Sequence, residues 1–373
     1  MISERFVGSA ACLDREPAEL GRDTGAVRIL VDDPARPNAY PGPVRTRSMT
    51  ERLEIDAPNA VATAAETAVE QCLAVREGET CVVVTDDRRR PIGDALYEAA
   101  LAATDEAVLV RYPPGPQHGA EPPGPVADAL AAADAFLAPT TKSLSHTRAR
   151  SAATDGGARG ATLPGVTEAV FTTGLDADYD AIAGACVDIL EAVDEADEVR
   201  VTSPEGTDVT VEVGDRAWRD DTGIVHEPGD FSNLPAGEVF ISPASADGTY
   251  VVDGTIRPHG LLSAGHTVTF EVADGSVTSV DDDAIRTELE AAAEEVGRDA
   301  YNLAELGIGT NVGVTDLVGS VLLDEKAGGT VHVAVGDDAG IGGDTDAPIH
   351  MDGVIREPTV YADGTELDLP RVA

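Results

Sequence analysis

The residues of this sequence best suited to bind a metal lie near its carboxyl end, where one residue separates His350 from Asp352. In an extended segment two side chains at this spacing point to the same face, because strand side chains alternate with a period of two. An imidazole and a carboxylate on one face are a suitable ligand pair for a divalent metal. With seven histidines and 68 acidic residues in 373, however, roughly one such pair is expected by chance. The spacing alone therefore identifies no site.

Three further candidates lie in apolar runs: Glu238 in NLPAGEVFISP, Glu305 in NLAELGIGTN and His332 in GGTVHVAVG. In the last run, alternation directs the valines to one side and His332 with Ala334 to the other. A carboxylate buried in such a run is costly without a cationic partner, which a metal or an arginine would supply. Taken singly, each residue is explained as well by a core histidine or an exposed carboxylate.

Two other motifs contain residue types that occur in functional sites. Gly307, Gly309 and Gly313 form G-x-G-x-x-x-G, which lacks the spacing of a dinucleotide-binding fingerprint. We expect these glycines, and the glycine-rich stretch 340–343, to allow tight backbone turns beside the site. The segment 143–146 contains serine and histidine without a nucleophile elbow, so it gives little support for serine catalysis.

Several segments resemble those of the thermophilic (aminopeptidase T-like) metallo-aminopeptidase family, both in their residues and in their order along the chain. The resemblance is to a haloarchaeal-type member of that family. The similarity is carried by NLPAGEVFISP, two DGT segments, ELGIGTN, LLDEKAGGTVHVAVGD, a glycine-rich stretch, IHMDGVI and PTVYADG. It runs from about residue 230 to the end and is strongest from residue 301. It is looser over 49–200, where SLSHTRAR and an LPG turn also match, and it does not cover 1–48.

The resemblance implies a site for two divalent metal ions, which could be zinc, cobalt or manganese. Glu238 matches the family's first glutamate, Glu305 the glutamate that bridges the two metals, His332 the strand histidine, and His350 with Asp352 the paired ligands. Two such ions would activate a shared water for attack on a carbonyl. The implied function is an aminopeptidase that removes N-terminal residues from peptides, and the implied assembly is a homodimer.

Glu325 matches the family's third acidic position, after a two-residue difference in the spacing to His332 is allowed. We expect it to carry the proton to the leaving amine, or else to be a further ligand. The chain departs from the family at Ala339, where a tyrosine is expected, and at Met351, where a tryptophan is expected. The missing tyrosine weakens the case for a peptidase more than the case for a metal site.

Two alternatives therefore stay open. One is a related metal enzyme of other chemistry, such as a ring-cleaving dioxygenase that holds a single iron with histidines and a carboxylate. The other is a non-catalytic protein that a metal stabilises. The two acidic residues Glu238 and Glu305 favour two metals, because a single iron does not need several bridging carboxylates.

The predicted elements place these residues in the second of two domains. From residue 59, helix signals over 60–76, 91–103 and 176–195 alternate with short β-branched runs, which predicts a parallel α/β layer. The polar segment 141–165 is expected to connect a helix to the next strand. From residue 198 strands dominate, beginning with the hairpin VRVTSPEGTDVTVEVG. We therefore predict an α/β fold with an N-terminal parallel α/β domain, 49–200, and a mixed β-rich α+β domain, 201–373, that carries the metal site.

The first 48 residues differ in charge from the rest. They contain seven arginines and seven acidic residues, so the remaining 325 residues carry the whole net charge of −42. A folded part of the same protein should share its charge bias. We expect 1–48 to be a disordered extension or sequence outside the native protein, with Met49 as the start.

The net charge of −42 argues against nucleic acid and anionic membranes as partners, because both require Lys and Arg. An acidic surface with two lysines among 26 basic residues is typical of a halophilic protein, whose self-repulsion salt screens. The four cysteines form no C-x-x-C pair, and no apolar run reaches 18 residues. A cytoplasmic location is the expectation.

Overall fold

The structure is a computed structural model that describes residues 28–30 and 60–370. Its strands are β1 Arg28–Leu30, β2 Cys81–Asp86, β3 Ala107–Tyr112, β4 Ala135–Thr140, β5 Arg159–Pro164, β6 Glu198–Thr202, β7 Asp208–Glu212, β8 Arg219–Asp221, β9 Phe231–Asn233, β10 Glu238–Ile241, β11 Ser245–Val252, β12 Thr255–Ile256, β13 Gly260–Leu261, β14 Val268–Ala273, β15 Ser276–Val280, β16 Leu303–Gly309, β17 Val331–Gly336, β18 His350–Ile355, β19 Thr359–Ala362 and β20 Thr365–Glu366.

The helices are α1 over residues 60–72, of which Thr67–Cys72 is π-helical, α2 Arg90–Ala103, α3 Gly124–Ala131, α4 Arg148–Asp155, α5 Glu168–Leu175, α6 Tyr179–Val193, α7 Asp283–Val296 and α8 Val321–Asp324, with a 3-10 turn at Gly297–Tyr301. In the part of the chain that the structure describes, no helix has both the length and the apolar character needed to cross a bilayer.

The first sheet is the predicted parallel α/β layer. Its strand order is β1–β3–β2–β4–β5–β9, and from β3 to β9 all neighbours are parallel. Every residue of β2 is buried, as expected for a strand covered on both faces. Val83 packs into the main core with α1 and α2, whereas Val82 and Val84 pack into a second core with α3 and α4.

The expectation that 141–165 is only a connection was wrong, because this segment contains α4 and β5. Its polar residues have partners that are distant in sequence. The Arg159 guanidinium lies 2.7 Å from the Glu79 carboxylate, and the Thr162 hydroxyl donates to Oδ1 of Asn233 at 2.6 Å. A polar strand can therefore be buried here, because each polar group is hydrogen-bonded.

Two antiparallel sheets follow, as the β-rich second half of the sequence predicts. The second sheet has the order β13–β12–β18–β17–β16–β10–β8, and the third has β15–β14–β11–β7–β6–β19–β20. The hairpin predicted from residue 198 is β6 and β7, which pair from Glu198↔Glu212 to Thr202↔Asp208. One apolar core runs from the inner face of the first sheet to both antiparallel sheets.

The chain returns to the first sheet after the predicted domain boundary. Strand β9 pairs parallel with β5, from Gly160↔Phe231 to Thr162↔Asn233, and so forms the edge of the first sheet. Only residues 234–237 then separate β9 from β10 of the second sheet. The two sheets are thus joined directly at Glu238, which begins β10.

Within the segment 1–48, the structure describes only β1, which pairs antiparallel with β3 from Arg28↔Arg111 to Leu30↔Leu109. The rest of that segment, and Met49, lie outside the described residues. The hypothesis that residue 49 is the native start therefore stays a prediction.

Candidate metal centre

One face of the second sheet gathers the predicted site residues. Glu305 of β16 pairs with Ala334 of β17, and Ala334 pairs with Asp352 of β18. His350 precedes Asp352 by two residues and therefore lies on the same face. Because Ala334 carries only a methyl group, the side chains of the two outer strands can meet above it.

His332 lies on the same face of β17, opposite Gly307. A β-carbon at Gly307 would lie 2.1 Å from Cε1 of His332, so glycine leaves the space that the imidazole fills. Two residues on, a β-carbon at Gly309 would lie 2.1 Å from the carbonyl oxygen of Ala327. The expectation that these two glycines form turns was wrong: both lie within β16, where they allow close approach.

Strand β10 adds Glu238, which pairs with Gly309 and so faces the same side. Its side chain is 10% exposed, and Oε2 lies 3.6 Å from Nε2 of His332. This oxygen has no hydrogen-bond partner among the described residues. A buried polar atom without a partner is costly, and a cation would satisfy it.

The five side chains form two overlapping groups around Glu305. In the first, Glu238, Glu305 and His332 offer ligand atoms within 4.8 Å of one another. In the second, Glu305, His350 and Asp352 do the same. Oε1 of Glu305 lies 3.2 Å from Nε2 of His332, and Oε2 lies 3.3 Å from Nε2 of His350. The structure thus brings together all five residues predicted as ligands.

Both histidines turn Nδ1 towards a backbone carbonyl. Nδ1 of His332 lies 3.1 Å from the oxygen of Glu325, and Nδ1 of His350 lies 2.7 Å from the oxygen of Asp337. A carbonyl oxygen can only accept, so Nδ1 carries the hydrogen in each ring. Neutral rings would then present the Nε2 lone pair to the cluster, as metal-binding histidines do.

The charges in the cluster compensate one another. Burial raises the pKa of Glu305, but hydrogen bonds and charges from His332 and His350 outweigh it and lower that pKa to about 2. Burial lowers the pKa of both histidines, yet the surrounding carboxylates raise it to about 9 for His332 and about 12 for His350. Burial also raises the pKa of Asp352, and the charge of His350 lowers it further than burial raises it. In the metal-free protein, the two histidines are therefore protonated and supply the positive charge of the cluster.

A short turn after α8 brings in the sixth candidate residue, which is acidic, and a lysine. Glu325 and Lys326 follow α8 directly, and Nζ of Lys326 lies 2.7 Å from Oε1 of Glu325 and 2.6 Å from Oε1 of Glu238. Burial raises the pKa of Glu325, because it disfavours the charged carboxylate more than Lys326 favours it. Glu325 therefore lies next to the cluster, in contact with a cation.

Lys326 was not recognised in the sequence, although a signal was available. The chain has two lysines among 94 charged residues (26 basic and 68 acidic). One of them follows Glu325, inside the segment that carries the family resemblance. A lysine retained in so lysine-poor a chain is a candidate for a specific role.

The cluster lies at the floor of a cleft with a volume of about 630 Å³. Besides the candidate ligands, its walls include Arg219, Phe231, Asn233, Phe240 and Ile341. A second cavity of about 900 Å³, lined by Ser145, His146 and Arg257 among others, reaches His350 and Asp352 as well. The site is therefore open between the edge of the first sheet and the face of the second.

The two departures from the peptidase pattern have different surroundings. Ala339 is exposed, and its neighbours Gly340 and Ile341 line the cleft. Met351 is 2% exposed and points away from the site, because it lies between His350 and Asp352 on the strand. Neither position removes a candidate ligand.

The candidate ligands are chemically suited to a divalent metal. Three carboxylates and two oriented imidazoles supply oxygen and nitrogen donors, and one buried carboxylate oxygen has no hydrogen-bond partner within the described part of the chain. The parallel α/β layer joined to antiparallel sheets is consistent with an aminopeptidase T-like fold.

A sequence model identifies the family within this architecture. The model described as NicX, 2,5-dihydroxypyridine 5,6-dioxygenase, matches residues 60–368. The chain belongs to this family.

Two solved structures share the fold. A 2,5-dihydroxypyridine dioxygenase from Pseudomonas putida is 21% identical with a TM-score of 0.67, and the match covers 84% of this chain and 97% of that one. AmpT from Thermus thermophilus is 18% identical with a TM-score of 0.57, and the match covers 83% and 97%. A search among curated proteins finds no match. The predicted likeness to aminopeptidase T is thus confirmed for the fold, whereas the family match is to a dioxygenase.

Proposed function

We propose that this protein is a ring-cleaving dioxygenase that holds one ferrous ion and acts on a hydroxylated, nitrogen-containing aromatic ring. The observation that carries the proposal is the convergence of Glu305, His350 and Asp352 at the floor of a cleft, in a chain of the dihydroxypyridine dioxygenase family. Three protein ligands on one side of an ion leave positions open, as in non-haem iron oxygenases. The usual set there is two histidines and one carboxylate, whereas this triad has one histidine and two carboxylates.

Ferrous iron would supply the redox chemistry that O2 requires to react with an aromatic ring. In the overall reaction one carbon–carbon bond of the ring breaks and both atoms of O2 enter the product, so no external reductant is consumed. The residues of the chain supply binding and proton control. Phe231 and Phe240 line the cleft and offer flat apolar surfaces for a ring to pack against. Nε2 of His332, close to Glu305, can receive the proton of a ring hydroxyl when the imidazole is neutral.

The proposal is tested by O2 consumption. The full chain, purified in molar KCl and loaded anaerobically with Fe²⁺, should consume O2 with 2,5-dihydroxypyridine or another hydroxylated pyridine, while the ultraviolet absorbance of the ring disappears. With ¹⁸O2, both labelled atoms should enter the product. His350→Ala and Asp352→Asn should reduce the rate by about 100-fold or more, since the first removes a ligand and the second removes the negative charge of a ligand. The matched control is Glu212→Gln, which changes an exposed carboxylate of β7.

A second candidate is the metallo-aminopeptidase implied by the sequence resemblance. It is favoured by the group of Glu238, Glu305 and His332, which offers ligand atoms for a second ion. In this candidate zinc, cobalt or manganese ions would activate water, and Glu325 would carry a proton to the leaving amine. Aminoacyl-anilides give the decisive comparison. Hydrolysis with these metals, without O2 uptake on any hydroxylated pyridine, would replace the dioxygenase proposal by the peptidase.

A further inference from the structure

The position of Lys326 bears on how many ions the cluster can hold. Glu238, Glu305 and His332 are arranged to bind an ion, but Oε1 of Glu238 already lies 2.6 Å from Nζ of Lys326. Nζ also contacts Oε1 of Glu325 at 2.7 Å. The ammonium therefore holds an oxygen of Glu238, which is one of the ligands that a second metal ion would use, and joins it to Glu325.

The backbone around Lys326 holds it in this position. Its amide donates to the carbonyl of Leu323 at 3.1 Å, and its carbonyl accepts from the amide of Asn311 at 2.8 Å. The next residue, Ala327, packs against Gly309, where even a β-carbon would not fit. The Lys326 side chain is 4% exposed, so its ammonium is largely shielded from solvent.

The two groups of ligands differ in the charges that surround them. At the first group, a divalent ion would lie next to a buried ammonium, and like charges repel strongly where water is excluded. Removing the ammonium would leave the buried Glu238 and Glu325 without their cation, which is strongly unfavourable. At the second group, Glu305 and Asp352 supply two negative charges, which balance one divalent ion.

We propose that the Lys326 ammonium takes the place of a second metal ion, so that the chain holds one divalent ion, bound by Glu305, His350 and Asp352. The inference rests on the proposed function only in that the cluster binds a metal. It gives Lys326 a role as the residue that selects one-metal chemistry.

Metal stoichiometry tests the proposal without reference to activity. The full chain is treated with a chelator in molar KCl, equilibrated with Zn²⁺ and freed of unbound ion, and bound zinc is measured by mass spectrometry. We expect about one Zn²⁺ in the natural protein and about two in Lys326→Met and Lys326→Gln. Lys326→Arg, which keeps a cation, should bind one. Lys142→Met is the matched control, because it removes the other lysine of the chain, and it should also bind one.

A spectroscopic measurement on the unaltered protein supports the count. Mn²⁺ in excess should give the six-line electron paramagnetic resonance signal of an isolated ion. In Lys326→Met, two ions about 3.5–4 Å apart should give a spin-coupled signal instead. The melting temperatures of Lys326→Met and Lys326→Gln should also rise when Zn²⁺ is added, since the second ion restores the missing positive charge.

The outcomes separate this proposal from the proposed function. Two ions in the natural protein, or one ion in both Lys326→Met and Lys326→Gln, would overturn the role of Lys326. If neither variant folds even with excess Zn²⁺, the ion has not replaced the ammonium, and the proposal also fails. One ion in the natural protein and two in the variants, without O2 consumption on hydroxylated pyridines, would uphold the role of Lys326 and refute the dioxygenase.

Discussion

Oε2 of Glu305 lies 3.3 Å from Nε2 of His350, although the two residues are on strands that do not pair with each other. Strand β17 lies between β16 and β18, and the contact passes over it at Ala334. The site is thus built across three strands of a sheet, and small residues on the shared face decide which side chains can meet. The site and the surface charge of the chain lead to four predictions.

Gly307→Ala should displace the His332 ring, because the added β-carbon would lie 2.1 Å from Cε1. A strand can shift little in a packed sheet, so we expect a loss of about 1–3 kcal/mol in the free energy of unfolding. The measurement is thermal and denaturant unfolding with and without Zn²⁺. The control is Gly184→Ala on the exposed side of α6, where the added carbon has no atom within 4 Å. That change should stabilise the protein by about 1 kcal/mol, and an equal effect of both substitutions would contradict the close packing at Gly307.

Metal binding should release protons and strengthen with rising pH. The pKa values of His332 and His350 are raised to about 9 and about 12, so both rings are protonated at pH 7 in the metal-free protein. A metal binds only the neutral ring, whereas Glu305, with a pKa of about 2, is already ionised. Each Zn²⁺ should therefore displace at least about one proton at pH 7, and affinity should rise about tenfold per pH unit for each proton released.

Calorimetric titration with Zn²⁺ in two buffers of different ionisation enthalpy measures this release. Affinity that is constant from pH 6 to 8, with no buffer dependence, would show that the histidines are neutral without metal. His266→Gln, at an exposed histidine outside the cluster, should leave the proton count unchanged.

Asp338 should position the segment that leads into β18. Its carboxylate accepts from the amide of Thr345 at 2.6 Å, from Nδ2 of Asn302 at 2.8 Å and from the hydroxyl of Ser242 at 3.0 Å. The adjacent Asp337 carbonyl orients His350. Asp338→Ala should destabilise the protein by about 1–3 kcal/mol, because the donors lose their acceptor, and should weaken metal affinity about 10–100-fold. Zinc titration and unfolding measure both effects, and Asp346→Ala, at an exposed position in the same segment, should cause neither.

The surface charge should make stability depend on salt. With a net charge of −42, the folded chain repels itself unless ions screen it, and screening shortens from about 30 Å at 0.01 M to about 3 Å at 1 M salt. The melting temperature should therefore rise from dilute buffer to 2 M KCl, and NaCl should act similarly. Sucrose at equal osmolality controls for general solute effects. Equal melting temperatures in dilute buffer and in molar KCl would rule out the halophilic interpretation.

Much of the site could be predicted because it lies on strands. Alternation in GGTVHVAVG and IHMDGVI predicts that His332, His350 and Asp352 lie on one face of their strands. The register of β17 with β18 has all three on the same face of the sheet. The convergence with Glu238 and Glu305 came from the family resemblance, since no local pattern reports which strands pair. The chemistry did not follow from the ligands, because a hydrolase and an oxygenase can share carboxylate and imidazole donors.

The contacts that sequence patterns missed all depend on partners distant in the chain. Lys326 is explained by Glu238, which lies 88 residues away. The buried polar strand β5 is explained by Asn233 and Glu79. The local sequence predicts a turn at Gly307, and only the position of His332 opposite it explains why a glycine is required in the strand. In each case the local sequence is unfavourable for the observed structure, and a tertiary contact compensates.

The short strand β9 has a consequence for how the molecule can be divided. If the chain were cut between 197 and 202, the amino-terminal fragment would keep β5 and lose β9, its partner from Gly160 to Thr162. The bared backbone of β5 would be an open edge, able to recruit strands from other molecules and aggregate. The carboxyl-terminal fragment would hold every candidate ligand but lack the wall of the second cavity that Ser145 and His146 provide. Neither fragment should therefore be functional by itself, and an intact site requires the chain on both sides of residues 197–202.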